Sequence, residues 1–388
     1  MRKSIYSLFI LALLITSVVV FTESALSSAE MVENAWVPKA SMQEARSGLG
    51  VAVVDGKIYA IGGLNSSHEL VDTNEMYDPT TNTWTTLKSM PTPRARFGIA
   101  VCQNKIYVIG GEIGSRPTFS GLALAVSIVT GINEVYDPVT DTWETKKPML
   151  TERVLLKANV VDGKIYCIGG AADSHSLQAT EVYDPANDSW VTMEPMPNLQ
   201  EEFASTVVDD KIFIISDKVQ IFNPKTNQWT LGTPPPKPMY QGAAGATTGS
   251  IAPKRIYFIG GGSANQIYNP NDGSWSIGAS MPTPRNSLAV AVLNDTVYAI
   301  GGWHIDSGTL AINEQYTPIG YGTLDPPLSP EPTPSLSPTP TPSAELEPQP
   351  EPFPIVPIAA ASAASLAVVG LGLMLYFKKR KHFTEPRV

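Results

Sequence analysis

The sequence predicts an all-β chain folded as a six-bladed β-propeller, its last blade closed by a strand from the N-terminal end. Three observations carry this. First, one phrase recurs: Lys57-Ile-Tyr-Ala-Ile-Gly-Gly63 returns as Lys105-Ile-Tyr-Val-Ile-Gly-Gly111, Lys164-Ile-Tyr-Cys-Ile-Gly-Gly170, Arg255-Ile-Tyr-Phe-Ile-Gly-Gly261 and Thr296-Val-Tyr-Ala-Ile-Gly-Gly302. A worn copy fourth in chain order, Lys211-Ile-Phe-Ile-Ile-Ser-Asp217, keeps the strand and lacks the glycines, making six in all. Self-similarity at such spacing is the mark of a repeat architecture rather than one mixed core. Second, each of the first five copies is followed by an aromatic residue, Asp or Asn, Pro, and then Trp, as in Tyr77-Asp-Pro-Thr-Thr-Asn-Thr-Trp84. Third, the sixth copy stops at Tyr316-Thr-Pro318 without its tryptophan strand, while Ala35-Trp36-Val37-Pro38 precedes the first copy.

Each repeat reads as four short strands, in the first copy Gly50–Val54, Lys57–Gly62, Asn74–Asp78 and Thr83–Leu87. Asp55-Gly56 and Asp162-Gly163 are strong hairpin signals. Gln103-Asn104, Asp209-Asp210 and Asn294-Asp295 are softer versions. The Asp/Asn-Pro step after the third strand reads as a tight turn, with proline fixing φ and the short polar side chain bonding the turn backbone. A four-stranded sheet cannot bury its apolar faces alone, whereas sheets stacked radially bury one another and leave only short edges. The tyrosines and tryptophans are expected between blades.

These phrases resemble the Kelch repeat, over about residues 34–318. Blade four departs from the pattern at Ser216-Asp217. The resemblance implies the fold and is nearly silent on function.

The ends of the chain point to export and anchoring. Met1-Arg2-Lys3 and the apolar run to Phe21 read as a signal peptide over residues 1–29, followed by the propeller over 30–320. Residues 321–354, rich in proline, serine, threonine and glutamate, read as an extended spacer. The uncharged stretch Ile355–Phe377 is long enough to span a bilayer. Lys378-Lys-Arg-Lys381 opens a basic tail, 378–388, expected on the inner side. The expected localisation is the cell membrane, single-pass, with the propeller outside. The net charge of −9 argues against non-specific nucleic-acid binding. Two cysteines in different blades, Cys102 and Cys167, read as buried thiols rather than a disulfide.

Candidate functional residues come from aligning the repeats. Eleven positions before each Lys-Ile-Tyr phrase stand Arg46, Arg94, Arg153 and, in the sixth copy, Arg285, with Gln200 in blade four. Just ahead of the innermost strand, they are expected at one mouth of the central channel, where guanidiniums suit a carboxylate or sulfate. In the common repeat pattern such an arginine also bonds neighbouring backbone carbonyls. Glu201 and Glu202 are the weak catalytic candidates, as carboxylates beside the arginines. Phe119, in the long apolar connection of blade two, and Trp303 are candidate stacking residues. That connection is expected to pack on its own propeller. His68, His175 and His304 lie in loops of the same face without metal-ligand spacing, and no motif calls for a cofactor or metal. The expected partner is an extracellular glycan, wall polymer or protein bound by a surface-displayed module. The alternative is an exported carbohydrate-active enzyme, since the size and blade count resemble sialic-acid epimerases; in that case the arginines would clamp a carboxylate and Glu201 or Glu202 would move protons.

Overall fold

A computed structural model describes residues 32–117, 125–173, 175–200 and 202–323. Among them every regular element is a strand, and most of the strands form six four-stranded antiparallel sheets. Blade 1 comprises Gly50–Val54, Lys57–Ile61, Asn74–Asp78 and Thr83–Thr86, from the axis outward. Blades 2, 3, 4 and 5 repeat this order from Gly98–Cys102, Lys157–Val161, Ala204–Val208 and Ala243–Ala246. In blade 6, Ala289–Leu293, Thr296–Ile300 and Asn313–Thr317 are completed on the outside by Ala35–Lys39, in the register Trp36↔Tyr316. The N-terminal closure expected from the sequence is therefore present.

The turns between the first two strands follow the sequence signals. In Asp55-Gly56, Gln103-Asn104, Asp162-Gly163, Asp209-Asp210 and Asn294-Asp295 both central residues have positive φ, the conformation that matches the twist of a two-residue hairpin. The weaker signals thus adopt the same turn as the Asp-Gly pairs.

Between blades lie six apolar clusters, one per interface. Each contains one buried methionine from the segment leading into the next blade: Met42, Met90, Met149, Met196, Met239 and Met281. The unbranched thioether fills the irregular gap where two twisted sheets diverge.

The aromatic motif has a second role besides packing. In every blade the third-strand aromatic stacks on the tryptophan of the outer strand, with ring centroids 4.9–5.1 Å apart. The indole N–H then donates to a carbonyl in the segment leading into that blade: Trp84 to Ala40, Trp143 to Lys88, Trp190 to Lys147, Trp229 to Glu194, Trp275 to Thr233 and Trp36 to Ala279. Two residues before the tryptophan, Asn82, Asp141 and Asp188 hold a left-handed backbone. Each accepts from the tyrosine hydroxyl and from a main-chain N–H of the incoming segment. Asn34 does the same for Tyr316 and Ala279. The Tyr-Asp-Pro…Trp phrase is thus a latch between consecutive blades.

Cys102 and Cys167 are free, buried, and share the interface between blades 2 and 3. Burial pushes the Cys167 thiol up to about 12 and raises that of Cys102. Since the thiolate is the reactive species, neither should react with Ellman's reagent at pH 8 in the native protein, and both should react in guanidinium; native labelling of Cys167 would contradict its burial.

The expected leader, membrane span and basic tail lie outside the described residues, as does the spacer beyond Thr323. Tyr321–Thr323, assigned to the spacer from sequence, are tied to the ring instead: the Tyr321 hydroxyl donates to Asn294 O and Gly322 N to Ile251 O. Among the described residues no helix is long and apolar enough to cross a membrane.

Candidate functional site at the axial mouth

The four aligned arginines do not face the mouth, which corrects the sequence expectation. The side chains of Arg46, Arg94, Arg153 and Arg285 are 0% exposed, and each pairs with a buried glutamate on the third strand of its own blade. The pairs are Arg46–Glu75 at 2.5 Å, Arg94–Glu134 at 2.7 Å, Arg153–Glu181 at 3.0 Å and Arg285–Glu314 at 2.5 Å. Each guanidinium also donates to a second-strand carbonyl, that of Ala60, Val108, Cys167 or Ala299. Arg46 further bonds Gly62 O and Thr73 O, and Arg94 bonds Gly110 O and Ile132 O, in each case the two ends of the connection between the second and third strands. Burial lowers the Arg94 pKa to about 10 against the opposing charge of Glu134. It stays charged at neutral pH, with its donors directed to the protein.

Blade 4 replaces the ion pair with Gln200 and Gln220, bonded to each other at 2.6 Å. Blade 5 has Gln266 bonded to the main chain of Lys237. In these two blades the second-to-third connection is only residues 216–218 and 261–263, against 62–73, 110–132, 169–179 and 301–312 elsewhere. Arg46 and Arg94 thus clip the base of a long connection, while Arg153 and Arg285 bond Thr151 O and Thr283 O of their own entering segments. Where the connection is short, the arginine is absent.

The mouth itself is built two residues further along. Gly48, Arg96, Leu155, Glu202, Gln241 and Ser287, one per blade, all have φ between 48° and 62°. Their main chains bond around the axis: Arg96 N to Gly48 O, Leu155 N to Arg96 O, Gln241 N to Glu202 O, Ser287 N to Gln241 O and Gly48 N to Ser287 O. Non-glycine residues seldom take this conformation, and they concentrate where surrounding structure over-determines it for a purpose. The ring frames a cavity of about 90 Å³ lined by Arg96, Leu155, Lys157, Glu202, Gln241 and Ser287 among others. Beneath it a channel of about 200 Å³ runs between the innermost strands.

Lys157 lines both spaces. It sits opposite Ile168, and the matching positions in the other blades are Gly50, Gly98, Ala204, Ala243 and Ala289. Five small residues and one lysine leave room for a single long side chain at the top of the channel. It makes no hydrogen bond or ion pair to another described residue. Burial lowers its pKa, and the negative charge of Glu202 partly opposes this. Around it, Gln241 Nε2 donates to Glu202 Oε1 at 2.8 Å, and Arg96 pairs with Glu112 at 3.0 Å. The mouth therefore holds two cations, one carboxylate, an amide and a hydroxyl on a hydrogen-bonded backbone frame, with Glu112 paired to Arg96 behind it.

Of the sequence candidates, Glu202 is in the mouth and Glu201 lies outside the described residues. Trp303 is partly buried, its main chain paired with Asn286, and its ring is not among the groups lining the mouth. Phe119 lies outside the described residues. The long connection of blade 2 forms a hairpin, Glu112–Pro117 with Ala125–Val129, whose Ile113 and Ile128 remain exposed. His68, His175 and His304 sit in three different connections, and among the described residues no three metal-type ligands converge. Arg96 and Lys157 were missed from sequence. Their signals were an arginine standing where the first blade has Gly48, and a lysine where the other blades have glycine or alanine.

Kelch motifs match residues 45–91, 93–124 and 152–197, covering blades 1 and 3 and part of blade 2. The solved structure of YjhT aligns with a TM-score of 0.59 at 16% identity, over 71% of this chain and 95% of that one. At that identity the likeness establishes the propeller fold alone. No curated protein matches the chain.

Proposed function

We propose that the propeller is a carbohydrate-binding module whose axial mouth holds a sugar. One observation carries the reading: Arg96, Lys157, Glu202, Gln241 and Ser287 converge in a concave site on a hydrogen-bonded backbone ring. Donors and acceptors are interleaved, and the charge of Arg96 is already offset by Glu112. That suits a hydroxyl-rich ligand better than a bare anion or an apolar one, since each hydroxyl both donates and accepts. A rigid scaffold with loop-borne polar groups is the usual arrangement for recognition. Display at a cell surface is supported by the apolar stretch Ile355–Phe377 and the basic residues after it.

A screen of the full chain in detergent against a glycan array tests this, with Lys157→Met and Glu202→Gln alongside. Hydrogen bonds to charged groups contribute about 1.5–3 kcal/mol; each substitution should therefore weaken binding by roughly ten-fold or more. Unchanged binding by both variants, or no glycan bound by the wild type, refutes the reading.

The carboxylate of Glu202 beside an amine of lowered pKa supports a second reading. Here the module is an exported sugar epimerase or mutarotase of the sialic-acid type, with Glu202 as general base. The same protein should then speed exchange between sialic-acid anomers, followed by NMR, and Glu202→Gln should abolish it. A wild-type rate equal to buffer removes this alternative.

A further inference from the structure

The connections between second and third strands form a wall around the mouth, and the wall is low on one side. Its sections over blades 1, 2, 3 and 6 are the long connections 62–73, 110–132, 169–179 and 301–312. Over the adjacent blades 4 and 5 it falls to residues 216–218 and 261–263. In the tall blades the residue before each ring position is covered by a main-chain bridge to the connection: Ser47 to Leu64, Ala95 to Glu112, Val154 to Ala171 and Asn286 to Trp303. The matching residue of blade 5 is Tyr240, which no such bridge covers and which is 52% exposed. It adjoins Gln241, the ring residue that bonds Glu202.

On the other flank of the low sector, a second cavity of about 190 Å³ opens between blades 3 and 4, lined by Leu155, Ser176, Gln200 and Glu202 among others. Leu155 and Glu202 also line the mouth, so the two spaces lie side by side. This cavity exists because the connection of blade 4 is too short to cover it, while the small hairpin of blade 3, Ala171–Ala172 with His175–Ser176, forms its outer bank.

We propose that the mouth is the terminal subsite of a longer one, and that the ligand is an oligosaccharide of at least two units whose chain leaves over blades 4 and 5. The inference rests on the carbohydrate reading and adds chain length and direction. The terminal unit lies at Lys157 and Glu202. The next meets Ser176 on one side and the exposed Tyr240 ring on the other, an aromatic face with a polar tip that suits the mixed surface of a sugar. A free monosaccharide would fill the mouth and leave this sector unused. An enclosing wall on all six blades would admit nothing larger.

The test uses the full chain and labelled oligomers of glucose, N-acetylglucosamine and galacturonate, one to six units long, with dissociation constants measured for each. For the series that binds, affinity should rise at least ten-fold from one unit to two or three and then level off. Tyr240→Ala should remove that gain and leave the monomer constant within two-fold. Replacing 216–218 by the sequence of 169–179, which raises the wall, should block the longer oligomers and spare the monomer. Equal affinity at every length, or equal loss of monomer and oligomer in Tyr240→Ala, overturns the extension. If the monomer binds and Lys157→Met abolishes that binding while length has no effect, the mouth reading stands and only the extension falls. No binding at any length overturns both.

Discussion

Arg94→Ala should destabilise the propeller by about 3–5 kcal/mol, the cost of removing one partner of a buried ion pair and leaving the other charge uncompensated. Glu134 would remain 3% exposed with its cation gone, and the carbonyls of Val108 and Ile132 would lose a donor. Urea denaturation of the wild type, Arg94→Ala and the double variant Arg94→Met/Glu134→Leu reads the effect. The double variant should recover much of the loss, because apolar groups of similar volume can replace a buried pair at small cost. The same experiment separates a structural arginine from a ligand clamp. A clamp at an exposed mouth would lower affinity and leave the midpoint unchanged; here the midpoint should fall. An Arg94→Ala midpoint within about 0.5 kcal/mol of wild type, the range of ordinary surface substitutions, would contradict the buried pair.

Removing residues 32–39 should abolish the folded monomer. The strand Ala35–Lys39 is the outer strand of blade 6, and without it Asn313–Thr317 presents an unpaired edge, a template for association with other chains. The loss also takes the Trp36–Tyr316 stack at 5.1 Å, the Trp36 N–H bond to Ala279 O and the Asn34 latch on Tyr316. All three join the first strand in sequence to the last blades. Trp36→Ala is the milder form, toward the lower end of the ~3–5 kcal/mol typical of Trp→Ala because the ring is only partly buried. Size-exclusion chromatography and thermal melting of both variants check this. A truncated chain that elutes as a monomer and melts with the wild type would show that the ring closes without this strand.

The fold was legible because its signals are local and repeated. Blade 1 differs from the sequence reading by one residue at the ends of two strands, and the pairing of Trp36 with Tyr316 follows from one missing and one surplus tryptophan strand. The buried methionine of each interface was equally legible, recurring before every blade, but no turn or strand signal draws attention to it. The site was read two residues out of place. Alignment finds recurrent residues, and recurrence here marks a shared structural duty: Arg46 and its counterparts are alike because each closes a buried ion pair with a third-strand glutamate of its own blade. Recognition needs residues that differ between blades, as Gly48, Arg96, Leu155, Glu202, Gln241 and Ser287 do. Which of those side chains look into the mouth depends on how six sheets meet at an axis, and no single repeat carries that information.

The third strand of each blade starts beside the mouth and runs away from it, so Thr317 ends on the opposite face, where Asn34 N donates to Thr317 O and Gly320 N to Glu33 Oε2. The polypeptide enters and leaves the propeller at one point on its underside. A fusion joined at that point can be lengthened or shortened without passing across the rim.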